Sequence, residues 1–139
     1  MNCNATLKLR RPTGNNIQGL YFETYKVIRC EYSFAKEVSK NGEVQSDVLA
    51  GNIHVTLPIL PTEELLGWVF DNRRIINGEI TINDAHEEVL EKIYFEEGRC
   101  VNFRLHYEPS GDMSDILLFL TINAQYMILG EVEYRNYRR

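Results

Sequence analysis

The chain has 139 residues, of which 44% are hydrophobic, 25% charged and 11% aromatic, with a formal net charge of −5 at neutral pH. That length supports one domain with one core, and the composition is that of a globular protein, not a disordered or fibrous one. The acidic balance argues against nucleic acid as a partner, because a basic footprint for the phosphate backbone is missing. The locally basic end, Tyr134–Arg139, is too short to reverse that balance.

No apolar run approaches the ~20 residues that a bilayer span needs; the longest, Ile116–Leu120, is strand-sized. The first residues, Met1–Arg11, lack the apolar centre of a signal peptide, so the sequence predicts neither membrane insertion nor export by the general secretory route. Cys3, Cys30 and Cys100 are odd in number and widely separated. They read as thiols of a reducing compartment.

In chain order, Ala5–Arg10 is a first strand, and Pro12–Gly19 carries a turn signal at each end. Tyr25–Val38 reads as one long strand, with Ile28, Cys30, Tyr32 and Phe34 on one face and Arg29, Glu31 and Ser33 on the other. Ser39–Glu43 is a turn whose Asn41-Gly42 pair supplies the positive φ of a tight hairpin, and Val44–Asp47 extends it into a protruding loop. Asn52–Ile59 resumes the alternation through Ile53, Val55, Leu57 and Ile59. A helix of about three turns then follows Thr62, its N-cap, with Glu63 and Glu64 at the positive end and Arg73 and Arg74 at the far end. Its apolar stripe is Leu65, Leu66, Val69 and Phe70, with Trp68 at the margin. Asn77-Gly78 closes the helix and leads into a short strand, Glu79–Asn83; Asp84–Glu88 is a charged turn.

The last third is the most regular part. Lys92–Tyr107 and Asp115–Gly130 read as two long strands joined by the polar turn Pro109–Ser114, with Gly98 as a bend or bulge and a short strand after Gly130. Val101, Phe103, Leu105 and Tyr107 alternate with Asn102, Arg104, His106 and Glu108, the period of two of a half-buried strand. The partner strand is different: Ile116, Leu118, Leu120 and Ile122 share one face, while Leu117 and Phe119 make the other apolar as well. A strand apolar on both sides needs cover on both sides, from a helix, a second sheet or another copy of the chain. The expected fold is mainly β, a compact antiparallel barrel or sandwich of about seven or eight strands with one short helix at its side.

Chemistry is sparse. His54, His86 and His106 are scattered, and Cys100 and His106, assigned to one strand face, are too far apart along it to share a metal. Ser110 lies in a polar turn, not in a nucleophile elbow. The adjacent carboxylates Glu63/Glu64, Glu87/Glu88 and Glu96/Glu97 suit solvated turns and a helix start better than acid–base catalysis. Neither a phosphate-binding glycine loop nor a dinucleotide fingerprint is present. The expectation is no catalytic residue, no metal and no cofactor.

From Tyr25 to Tyr137 the layout resembles the tube protein of type VI secretion systems, the haemolysin-coregulated protein family, in the form found in Bacteroidetes. The residues that carry the likeness are the long strand Lys26–Val38, the strand Gly51–Leu57, the Leu- and Trp-bearing helix Glu64–Phe70 and the Gly78–Ile82 strand. Further matches are Lys92–Glu97, Cys100–Tyr107, Met113, Leu120–Ala124 and Ile128–Gly130. Two departures stand out: extra length at 11–24, and Tyr134 and Tyr137 near the position of the family's closing Trp.

The resemblance implies a non-enzymatic subunit, six copies of which close into a ring. Rings stack into a hollow tube inside a contractile sheath, and the tube partners sheath and spike proteins and carries effector cargo. It implies assembly in the bacterial cytoplasm and release on firing without a signal peptide. The loop after the long second strand, with Asn41, Gly42 and Glu43 at its tip, would reach the adjacent ring. Two alternatives stay open: a small β-barrel that binds a ligand in its interior, and another phage-tail-like tube or adaptor protein. Phe34, Leu57, Phe103 and Leu120 suffice to fill a small barrel, which counts against an interior ligand.

Overall fold

The computed structural model describes residues 3–11, 23–36, 39–42, 50–109 and 115–135. Within them the elements are β1 (Asn4–Arg10), β2 (Glu23–Val27), β3 (Arg29–Ala35), β4 (Ala50–Leu57), α1 (Glu63–Phe70), β5 (Ile76–Asn83), β6 (Val89–Tyr107), β7 (Ile116–Leu129) and β8 (Val132–Arg135). One antiparallel sheet contains every strand, in the order β2-β1-β5-β6-β7-β4-β3, with β8 beside β7. The expected extra length at 11–24 lies mostly outside the described residues.

The strand order begins and ends on successive pieces of chain. β2 pairs with β1, β3 pairs with β4, and only Ile28 separates the two. The sheet therefore curls until its two ends are joined through the backbone, and Ile28 N–H donates to Thr56 C=O across the join at 2.9 Å. This corrects the reading of one long strand. Tyr25 and Val27 face the core before the bend, whereas Cys30, Tyr32 and Phe34 face inward after it. The bend at Ile28 switches the inward parity, and Ile28 itself is 48% exposed.

Leu7, Leu9, Ile53, Leu57, Ile80, Ile93, Phe95, Leu118 and Ile122 are fully enclosed by the curl. The helix is shorter than expected, eight residues. Thr62 caps it as expected, its Oγ1 accepting from Leu65 N–H at 3.2 Å. Its buried side chains are Leu65 and Trp68, three residues apart, whereas Phe70 is 79% exposed. Trp68 is thus the anchor and not the margin, and its indole N–H donates to Gly98 C=O at 3.0 Å. Asp71 stops the helix by accepting Arg73 N–H on its carboxylate, so both arginines fall beyond the last turn. Arg74 reaches back instead to Glu64, at 3.9 Å.

Asn77-Gly78 belongs to β5 and ends nothing. Gly78 sits there because a Cβ would lie 2.6 Å from Lys8 C=O and 2.7 Å from the Phe95 ring. Phe95 occupies the space that Gly78 and Gly98 leave empty. Asn77 is buried nearby, its side-chain oxygen accepting Glu97 N–H at 2.9 Å. The turn at 84–88 forms as expected: Asp84 accepts from His86 and Glu88 N–H groups, and Glu87 takes φ 64°.

The 19-residue β6 and the 14-residue β7 match the two long strands read from the sequence. Their pairing slips between Cys100 and Asn102, where Val101 is the extra residue. That bulge separates two groups expected on one face. Cys100 opposes Ile122 and is buried in the core, whereas His106 opposes Leu117 on the outward face.

Candidate assembly surfaces

Beyond the bulge, Phe103, Leu105 and Tyr107 lie opposite Leu120, Leu118 and Ile116, on the core side of the sheet. The core reaches Phe103 but not Leu105 or Tyr107. Leu105 is 42% and Tyr107 62% exposed, and Val101 is 57% exposed at the bulge itself. The face expected to be half-buried is therefore open, because the β6–β7 hairpin runs past the elements that would cover it. A second open margin is β3, where Tyr32 and Phe34 face inward yet stay partly exposed. They are held by contacts at a distance in sequence: Tyr32 Oη donates to Glu91 at 3.1 Å, and the Phe34 ring packs 4.9 Å from Tyr134.

The outward face of β6, β7, β4 and β3 is built in rows fixed by register. One row runs Arg104, Phe119, Thr56, Arg29, and the next Asn102, Thr121, His54, Glu31. The Arg104 guanidinium lies 4.1 Å above the Phe119 ring. His54 and Thr121 are hydrogen-bonded at 3.0 Å, and Glu31 accepts two bonds from Arg29, at 2.7 and 3.1 Å. Arg29, Glu31, His54, Thr56, Phe119 and Thr121 line a depression of about 220 Å³. Phe119 thus has a cation over its ring and stays half-buried, which fits the expectation that this strand needs cover on both faces.

Of the residues assigned to the ring-facing tip, Asn41 and Gly42 are exposed, while Glu43 lies outside the described residues. Gly42 N–H donates to Ser39 C=O at 3.0 Å, and Gly42 alone of the pair has positive φ, at 83°. That is a four-residue turn closed by a left-handed glycine, not the pair of positive φ angles expected of the hairpin.

Among the described residues no three His, Cys, Asp or Glu side chains cluster as a metal site, and no helix is long and apolar enough to cross a membrane. All three cysteines are free. Burial pushes the Cys100 thiol up to about 11, and burial with the nearby Glu91 and Glu31 does the same for Cys30. Both stay protonated at neutral pH and are poor nucleophiles.

Sequence reasoning missed the Trp68–Gly98 bond and the Phe95 packing against Gly78. The first had a signal, since Leu65 and Trp68 share a helix face at a spacing of three. The bulge at Val101 had none.

The sequence matches the family described as hemolysin coregulated protein Hcp (TssD) over residues 1–137. The chain belongs to this family. Among solved structures, Hcp1 from Flavobacterium johnsoniae shares the fold with a TM-score of 0.77 at 18% identity, covering 96% of this chain and 99% of that one. Hcp1 from the E. coli EAEC 042 pathovar gives a TM-score of 0.69 at 9% identity, over 96% of this chain and 99% of the other. A chain of the PVC sheath–tube complex, an extracellular contractile injection system, gives 0.55 at 11% identity, over 92% of this chain and 88% of that one. No curated protein matches. Hcp chains of very different sequence thus keep one architecture, and in this Hcp it leaves the margins just described uncovered.

Proposed function

We propose that this protein is a subunit of the inner tube of a type VI secretion system. Six copies close into a ring, rings stack into a hollow tube, and a contractile sheath expels it together with its spike and any effector it carries. The role is structural, with no catalytic step or cofactor. Assembly takes place in the bacterial cytoplasm, and the subunit leaves the cell when the tube is fired.

The observation that carries this reading is the family match over nearly the whole chain. The similarity to a sheath–tube complex supports a tube, and the open apolar margins at Leu105, Tyr107 and β3 supply surface that only further protein would bury. A contact that repeats by rotation closes a ring, and one that repeats along an axis makes a filament. The loop tip formed by Asn41, Gly42 and Glu43 in the sequence is assigned to the contact between rings.

Negative-stain electron microscopy tests both levels. Purified protein is expected as open-centred rings, and deletion of Lys40–Gln45 as rings that no longer stack. Normal tubes from the deletion would refute the role of the loop; compact single particles from the intact protein would refute the tube.

A further inference from the structure

The tripeptide Asn-Gly-Glu occurs twice in this chain, at 41–43 and at 77–79. The residues are identical, and the fold sets the two Asn-Gly pairs in opposite surroundings. Asn41 and Gly42 are exposed in a surface turn, and a Cβ added to Gly42 would meet nothing within 4 Å. The Gly42 nitrogen is engaged only by the turn bond to Ser39 C=O, among the described residues. One hydrogen bond at the surface opens readily. Asn77, by contrast, is 8% exposed and lies in β5, with β1 on one side and β6 on the other. Its side-chain oxygen is tied to Glu97 N–H at 2.9 Å. Gly78 opposes Leu9 and Phe95, with Lys8 C=O 2.6 Å from where its Cβ would stand.

We propose that Asn41 is a site of spontaneous deamidation, and that the fold protects Asn77 from the same reaction. In an Asn-Gly pair no Cβ hinders the approach of the glycine nitrogen. The Gly42 nitrogen gives up its proton to hydroxide and bonds to the side-chain carbonyl carbon of Asn41. The bond from that carbon to Nδ2 breaks, and the amide leaves as ammonia after taking a proton from water. Water then opens the succinimide ring at either carbonyl, leaving an aspartate or an isoaspartate; nothing is oxidised or reduced. Ring closure needs the backbone to rotate until nitrogen and side chain meet, which an exposed turn with open space around Gly42 permits. At Asn77 the same rotation would pull Gly78 out of its place between two strands and break the bond to Glu97. That reaction waits for the sheet to open. The product at Asn41 adds a negative charge to a chain already at −5, at the tip assigned above to the contact between rings.

The test is incubation of the full-length protein in mildly alkaline buffer, followed by peptide mass spectrometry and isoaspartate labelling. The peptide holding Asn41 is expected to convert at least about tenfold faster than the peptide holding Asn77. In urea the two rates should converge to within about threefold, because the fold no longer separates them. Asn41→Gln should remove the early acidic species on isoelectric focusing and leave the circular dichroism unchanged. Equal rates at the two sites in the folded protein, both slow or both fast, would overturn the proposal. So would early acidic species that persist in Asn41→Gln. Either failure leaves the tube reading standing, since the reaction does not depend on assembly.

Discussion

The two halves of β6 carry the same alternation and meet opposite fates. From Ile93 to Cys100 the inward residues are buried, Ile93 and Phe95 completely, because the curled sheet and Trp68 close over them. Of the inward residues from Phe103 to Tyr107, Phe103 still packs against the core, whereas Leu105 and Tyr107 are exposed among the described residues. One half is finished by folding; the other stays open. Apolar area exposed in this way is worth roughly 25 cal/mol per Å² once removed from water. The first half should therefore govern the stability of the subunit, and the second its association.

The largest expected effect lies in the first half. Phe95→Ala removes a fully buried ring from between Gly78 and Gly98 and should cost about 3–5 kcal/mol in denaturant unfolding. Gly78→Ala sharpens the point from the other direction, since the new methyl would press on Lys8 C=O, a backbone atom that cannot swing aside. About 1–3 kcal/mol is expected from such overpacking. Thr62→Ala, which loses the bond from Leu65 N–H, should cost about 1 kcal/mol. Leu105→Ala, in the second half, should change subunit stability by no more than about 0.5 kcal/mol yet measurably weaken assembly. A large loss of subunit stability from Leu105→Ala would break the division between the halves.

The pH dependence of stability follows from the core thiols. Cys100 and Cys30 stay neutral in the fold up to about 11, against an ordinary value of 9.0. Their contribution is fully present below pH 9 and is lost as the unfolded chain ionises between 9 and about 11. Cys100→Ala should flatten that alkaline decline, and thermal melts at pH 7.5 and pH 10 would show it.

Periodicity made the strands legible, because an alternation such as Ile53, Val55, Leu57 reports a pleated backbone with one side in the core. It could not report how far the core extends, so Leu105 and Tyr107 read as covered when they are not. Inserted residues defeat the same signal. One bend at Ile28 and one bulge at Val101 each reverse which residues face inward, and neither has a local marker such as Gly or Pro. The cap at Thr62 was readable because capping is local chemistry. Trp68 was misplaced because its partner, Gly98, lies thirty residues away. The outward row could not be read at all, since Arg29, Thr56, Phe119 and Arg104 come together only through the register of four strands.

The central claim is that this subunit is incomplete alone. Light scattering of the purified protein over a wide concentration range tests it most directly. The account predicts a mass near six chains, and a single-chain mass that persists at the highest concentrations, in well-folded protein, would contradict it.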